Sequence, residues 1–160
     1  MVCRSIMSWS IAHRPAFAGF VWTAALLGVL AWLNRRNGDI FLVPPFAATL
    51  TILVYLPNAS VARPIVVVAG SVLGAAIGTG FSLFLGVGAG VAALAAIATM
   101  VLLPWFRVFH PPGVALAMCP ALLHLGWLFP IEIVLPFTLA AVMSWAAISR
   151  LLDLALRRLP

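Results

Sequence analysis

The stretch His110-Pro111-Pro112-Gly113 ends a long apolar run and opens a shorter one at residues 114–129. A Pro-Pro pair cannot lie inside a helix, because each proline lacks the N–H group that the helix needs and its ring clashes with a carbonyl of the preceding turn. Proline is favoured at the first helical position, so the stretch predicts a helix that begins at Pro112 with free amides just beyond it. Pro44-Pro45 opens the apolar run 46–56 in the same way. These two proline-started helices organise the predicted fold.

Composition places the chain in a lipid bilayer. Of its 160 residues, 65% are hydrophobic and 8% are charged, whereas a soluble domain is about half apolar and about a quarter charged. Nine arginines and no lysine stand against three acids, which gives a net charge of +6. The arginines fall singly or in pairs between apolar blocks, without the basic face or the stacking aromatics of a nucleic-acid-binding protein. We therefore exclude nucleic acid as a partner and interpret the arginines as determinants of membrane topology.

Six apolar segments predict an all-α membrane protein with a single transmembrane domain at residues 16–153. Segment 1 is an uncleaved span, because no small-residue cleavage site separates it from Asn34-Arg35-Arg36. We expect a cytoplasmic or interfacial tail at residues 1–15 and a cytoplasmic tail at 154–160. Beyond Pro44-Pro45, segment 2 rises only about 16 Å, which is half of the hydrocarbon core. The segments are residues 16–33, 40–56, 65–85, 91–106, 114–129 and 133–152.

An internal repeat is suggested by aligning Pro44-Pro45 with Pro111-Pro112, an offset of 67 residues. In each half, at about residues 16–85 and 88–152, a long helix precedes the Pro-Pro pair and a short segment follows it. If each half crosses three times, the second half enters from the opposite side. The pattern therefore predicts a 3+3 inverted repeat in which segments 2 and 5 are short or discontinuous, and such a pair points to a transport site near the bilayer midplane.

Arginine placement distinguishes two topologies. Six crossings put seven arginines in the cytoplasm and two, Arg35 and Arg36, outside. If segments 2 and 5 re-enter instead, Arg63 and Arg107 move outside and the split becomes five against four. The positive-inside rule favours six crossings, and both alternatives leave both termini in the cytoplasm of a cell inner (plasma) membrane. Arg63 and Arg107 either funnel anions toward an entrance or serve only as topology determinants.

The predicted binding site consists of two helix N-termini. Each carries unpaired N–H groups and the positive end of the helix dipole, which together favour a small anion. His110 either attracts an anion or passes a proton when protonated, or it merely caps the loop at the interface. Thr49 and Thr51 either add hydroxyl donors or bond to their own backbone. The candidate substrate-binding residues are Pro44, Pro45, Phe46, Ala47, Thr49, His110, Pro111, Pro112 and Gly113.

Catalytic and metal-binding patterns are lacking in the sequence. The three histidines and two cysteines have neither the partners nor the spacing of a zinc site, and no Ser/His/Asp set is evident. We therefore predict no enzyme activity, no metal and no cofactor. Gly70, Gly74 and Gly78 recur every four residues and line one helix face, which favours close helix packing over a sliding or pore-lining role. A small chain with such a face is expected to form a homo-oligomer.

These motifs resemble the HPP family of integral membrane proteins, whose name matches His110-Pro111-Pro112-Gly113. The blocks that begin at Pro45 and at Gly70 are also similar to that family. The resemblance implies a small-anion transporter, because members from photosynthetic lineages are regarded as nitrite transporters. Val114-Ala115-Leu116 departs from the Gly-Ala-Thr that usually follows the motif, so a polar contact is lost near the predicted site.

Two hypotheses of function follow. The first is a transporter or channel for a small monovalent anion, nitrite-like by resemblance. The second is a non-transporting membrane scaffold that packs a partner helix against the glycine face. A membrane enzyme is disfavoured, because charged catalytic groups are nearly absent.

Overall fold

The computed structural model describes residues 3–37 and 42–156, with the side chains of residues 17–36, 42–152 and 154. In this part of the chain the secondary structure is helical throughout, without strands, which confirms the predicted all-α class. A 3₁₀ turn at Ser60–Ala62 precedes α3, and a π-helical turn at Pro130–Val134 leads into α6. The helices are α1 (Cys3–Asn37), α2 (Pro44–Tyr55), α3 (Pro64–Leu85), α4 (Ala89–Trp105), α5 (Pro111–Leu123) and α6 (Leu135–Leu156). Residues 1–2 and 157–160 of the predicted tails, and residues 38–41 of the first loop, lie outside the described residues.

Three of the described helical stretches are long and apolar enough to cross a membrane: Phe17–Arg36, Pro64–Leu85 and Pro130–Leu152. The remaining apolar helices are shorter. At 1.5 Å per residue, the 12 residues of α2 and the 13 residues of α5 rise about 18 and 20 Å. Segments 2 and 5 are therefore short, as the Pro-Pro pairs predict, whereas the inverted repeat stays a prediction.

The extent of two elements differs from the sequence prediction. α1 begins at Cys3, so the predicted 1–15 tail continues the first helix along its described part. α5 ends at Leu123, although segment 5 was expected to reach residue 129. The reason is a left-handed turn at His124 (φ 54°), where the N–H of Leu125 donates to the carbonyl of Pro120 at 3.2 Å. Residues 125–128 therefore form a connection, and Phe129 already belongs to the next helical stretch.

Helix directions follow from the contacts between helices. Gly70, Gly74 and Gly78 of α3 lie in turn against the loop before α5, Gly113 and Ala117, so α3 and α5 run parallel. The connection between α3 and α4 lies at the C-terminal end of α5, where the Gly88 N–H donates to the Ala121 carbonyl at 2.9 Å. The loop before α5 therefore lies at the same end of the bundle as the N-terminus of α3.

Aromatic contacts tie α1 and α2 to α6. The Phe46 ring of α2 stacks on Phe137 with ring centroids 3.8 Å apart. The Trp22 indole of α1 packs on Trp145 and donates from Nε1 to the Ser144 hydroxyl at 2.9 Å. Because lipid is as apolar as these side chains, close packing and hydrogen bonds, more than exclusion of water, stabilise helix association in a bilayer. The hydrophobic core of the bundle contains buried side chains of α1, α2, α3, α5 and α6, and Phe46 is fully buried within it.

Candidate functional site

Both Pro-Pro pairs begin a helix by the same local chemistry. Val43 and His110 are extended residues at the N-cap positions of α2 and α5, and prolines fill the first helical positions. A proline there loses nothing, because the first amides of a helix have no partner within it. The first turn of α2 closes through the Phe46 N–H and the Val43 carbonyl at 3.0 Å, and that of α5 through the Gly113 N–H and the His110 carbonyl at 2.8 Å.

A buried hydrogen bond joins these two helix starts. The Thr49 hydroxyl of α2 lies 3.2 Å from Nε2 of His110, and both residues are 0% exposed. Thr49 is one helical turn beyond Pro45, so the imidazole of His110 reaches the first turns of α2. The structure therefore brings Thr49 and His110, two of the candidate residues named from the sequence, into direct contact.

The hydrogen bond at Nδ1 of His110 determines which tautomer the imidazole adopts. Nδ1 of His110 lies 2.9 Å from the carbonyl of Val61, which can only accept, so Nδ1 carries a hydrogen and donates. In the neutral ring Nε2 then accepts from Thr49, whose hydroxyl is also 3.1 Å from the Pro45 carbonyl. His110 thus links α2, the turn before α3 and the start of α5. It is fully buried, and both roles predicted from the sequence, anion or proton binding and capping of the loop at the membrane interface, stay predictions.

The seam between α2 and α5, defined here by Phe46, Thr49, His110 and Gly113, is closed in this structure. All four residues are buried. A Cβ atom on Gly113 would collide with the Gly70 carbonyl and come within 3.4 Å of Leu103. Of the remaining candidates, Pro45 and Pro112 are buried, Ala47 is half-buried, and Pro44 and Pro111 are exposed.

The glycine face of α3 packs against α5 within the chain. A Cβ on Gly74 would meet the Gly113 carbonyl, and one on Gly78 would meet the Ala117 carbonyl. Gly70 lies against the Val108 carbonyl and is close to His110, whose Cβ would be 2.8 Å away from an added methyl group. Because α5 covers this face, a partner helix cannot dock there, and the scaffold hypothesis loses the surface on which it depended.

A cavity of about 290 Å³ opens next to the seam. Two exposed arginines line it, Arg63 at the N-cap of α3 and Arg107 after the end of α4. Val61, whose carbonyl accepts a hydrogen bond from His110, lines it as well. These arginines are 44 positions apart in the sequence, which paired them only as residues that could funnel anions toward an entrance. The rest of the lining is Ser60, Val66, Pro104 and Phe109.

Two buried hydroxyls were not identified from the sequence. Ser71 and Thr79 of α3 are 0% and 6% exposed, and neither side chain finds a hydrogen-bond partner among the described residues. Their signal in the sequence is weak: each directly follows a glycine of the packed face. Thr51, an expected donor, is exposed and bonds to the Ala47 carbonyl of its own helix at 2.9 Å.

The remaining chemical groups lie apart from the seam. His124 is exposed at the C-terminal end of α5. Cys119 is a buried free thiol on the same helix. Within the part of the chain that the structure describes, no three His, Cys, Asp or Glu side chains form a group that could hold a metal ion.

The chain matches a known protein family over almost its whole length. Residues 5–158 match the family model described as "HPP, transmembrane region". No curated protein and no solved structure matches the chain.

Proposed function

This chain belongs to the HPP family of transmembrane proteins, and from that membership we propose that it is a transporter or channel for a small monovalent anion such as nitrite. It is a multi-pass membrane protein. We place the anion path along the seam between α2 and α5, and we expect transport without enzymatic chemistry. The proposed orientation has both termini in the cytoplasm of the inner (plasma) membrane.

The observation that carries the proposal is the 3.2 Å contact between Thr49 and His110. It joins the first turn of α2 to the N-cap residue of α5 inside the bundle. The prolines carry no N–H, and the Phe46 and Gly113 amides bond to the Val43 and His110 carbonyls, so these positions leave no free amide for an anion. What each helix start offers is the positive end of its dipole, about half a unit charge, and two such ends favour a small anion without a buried arginine.

The charges of the neighbouring side chains agree with an anion path. Glu132 is the one acidic residue whose side chain the structure describes, and it is exposed. It lines a groove with Leu33 and with Phe137, whose ring stacks on Phe46 of the seam. None of the four residues that define the seam is acidic.

Passage requires the seam to open, since Phe46 and His110 are fully buried in the observed conformation. Opening separates Thr49 from His110 and frees the hydroxyl and the imidazole. Both groups can then donate to an anion, His110 from Nε2 when it is protonated. The hydrogen bond between Thr49 and His110 thus closes the path when no anion is bound. When the path is open, both side chains become ligands of the anion.

The test is anion uptake by the purified full chain in liposomes. We expect nitrite to enter protein-containing vesicles faster than protein-free vesicles of the same lipid. Vesicles that contain an unrelated helical membrane protein at the same density control for leakage around the protein. Uptake equal to that of either control would refute the proposed function.

A further inference from the structure

We propose that the cavity between Arg63 and Arg107 binds the phosphate of an anionic phospholipid, with the lipid chain lying on the apolar side of the cavity. This site is separate from the seam between α2 and α5. It goes beyond the proposed function, because neither arginine belongs to the seam and either proposal can fail alone.

Two guanidinium groups line the cavity. Arg63 and Arg107 supply them, and they match phosphate oxygens in geometry and charge. Val66 of the first turn of α3 also lines the cavity, and the first bond of that helix runs from the Val67 N–H to the Arg63 carbonyl at 2.9 Å. The cavity therefore lies at the N-terminal end of α3, where the helix dipole is positive.

Arg107 is placed at the cavity by a left-handed turn, the conformation that His124 also adopts. Its φ is 57°, and it occupies the position after a helix end that glycine favours. The turn is closed by two hydrogen bonds, from the Arg107 N–H to the Pro104 carbonyl at 2.9 Å and from the Val108 N–H to the Leu103 carbonyl at 3.0 Å. Because side chains other than glycine are disfavoured in this conformation, glycine at position 107 would relieve the turn.

The apolar surroundings favour a lipid over a free anion. Phe109 and Pro104 line the cavity, and the neighbouring Trp105 and Phe106 are 81% and 59% exposed. A free inorganic anion makes no favourable contact with this apolar surface, whereas the acyl chain of a phospholipid packs on it. Basic pockets at the ends of transmembrane helices bind anionic headgroups in this way.

The experiment measures lipid retention on the full chain in a neutral detergent. Phosphatidylglycerol and phosphatidylcholine are added in equal amounts, and native mass spectrometry counts the bound molecules. We expect a preference for phosphatidylglycerol that falls about fivefold for each arginine lost, and so about twenty-five-fold in R63Q/R107Q. The matched control R35Q/R36Q removes the same charge at the end of α1 and should keep the preference.

Two further arms separate the alternatives. Millimolar phosphate or nitrite should leave most phosphatidylglycerol bound, because a free anion lacks the apolar contact. Arg107→Gly should lower the preference about fivefold while raising the unfolding temperature of the lipid-free protein, since glycine relieves the strained turn. Equal losses in the two double variants, full displacement by a free anion, or an unchanged preference in Arg107→Gly would each overturn the proposal.

Discussion

The Thr49 hydroxyl reaches a side chain of another element, which distinguishes it from the buried hydroxyls of Thr99 and Thr138. Those two bond only to backbone carbonyls three or four residues back, at 2.7 Å for Thr99 and at 2.8 and 3.0 Å for Thr138. Thr49 lies 3.1 Å from the Pro45 carbonyl and 3.2 Å from Nε2 of His110. The Pro45 carbonyl is also within reach of the Thr49 backbone N–H, as in any helix. The imidazole is therefore the acceptor that most needs the hydroxyl proton.

We predict that Thr49→Val destabilises the protein by about 1–3 kcal/mol, because it leaves a ring nitrogen of His110 buried without a partner. Valine keeps the shape of threonine, so packing changes little. Thr51→Val is the matched control on the same helix, since Thr51 is exposed and bonds only locally. Its effect should stay within about 0.5 kcal/mol. Unfolding of both variants in detergent measures the difference, and equal stabilities would show that the bond to His110 contributes nothing.

Single residues of the site were only partly predictable. The Pro-Pro pairs identify His110 and Thr49 as neighbours of helix starts. These two residues lie 61 positions apart, however, and their contact depends on how α2 packs against α5. The partner of Nδ1 is a backbone carbonyl at Val61, and backbone groups leave no mark on the sequence. The left-handed φ of Arg107 could not be predicted either, because an arginine does not indicate a turn as a glycine does.

Among the helices, α3 and α5 are joined by backbone contact. Glycines permit this approach, which in lipid provides packing energy that larger side chains would prevent. The four-residue glycine spacing predicts such a face but not its partner, and here the partner is the helix that starts at His110-Pro111-Pro112-Gly113. The same contact makes any substitution of Gly113 unsuitable for testing transport alone, because a side chain there would push α5 away from α3.

We predict opposite effects for two glycine substitutions on α3. Gly74→Ala places a methyl group on the Gly113 carbonyl and should destabilise the protein by about 1–3 kcal/mol. Gly80→Ala adds the same methyl group where nothing lies within 4 Å, and it should stabilise the protein by about 1 kcal/mol through helix propensity. Thermal unfolding in detergent compares the two. A loss of stability in both variants would mean that the glycine face is not what holds α3 against α5.

For the whole molecule, the sequence predicted the class and the helix order because hydropathy reports directly on a bilayer environment. The short α2 and α5 followed from proline chemistry, which acts locally. The end of α5 was misplaced because residues 125–129 are as apolar as a helix in lipid, and the left-handed turn at His124 has no clear signal. The closed state of the seam depends on the packing of α2, α3 and α5 together, which no local pattern encodes.

If the joined starts of α2 and α5 form the anion path, nitrite uptake by liposomes depends on Thr49 and not on Thr51. We predict that Thr49→Val lowers uptake about tenfold or more, because a hydrogen bond to a charged group contributes about 1.5–3 kcal/mol. Thr51→Val, whose hydroxyl bonds within its own helix, should match the unmodified protein. Uptake that is unchanged in Thr49→Val, or equally reduced in both variants, would contradict the account.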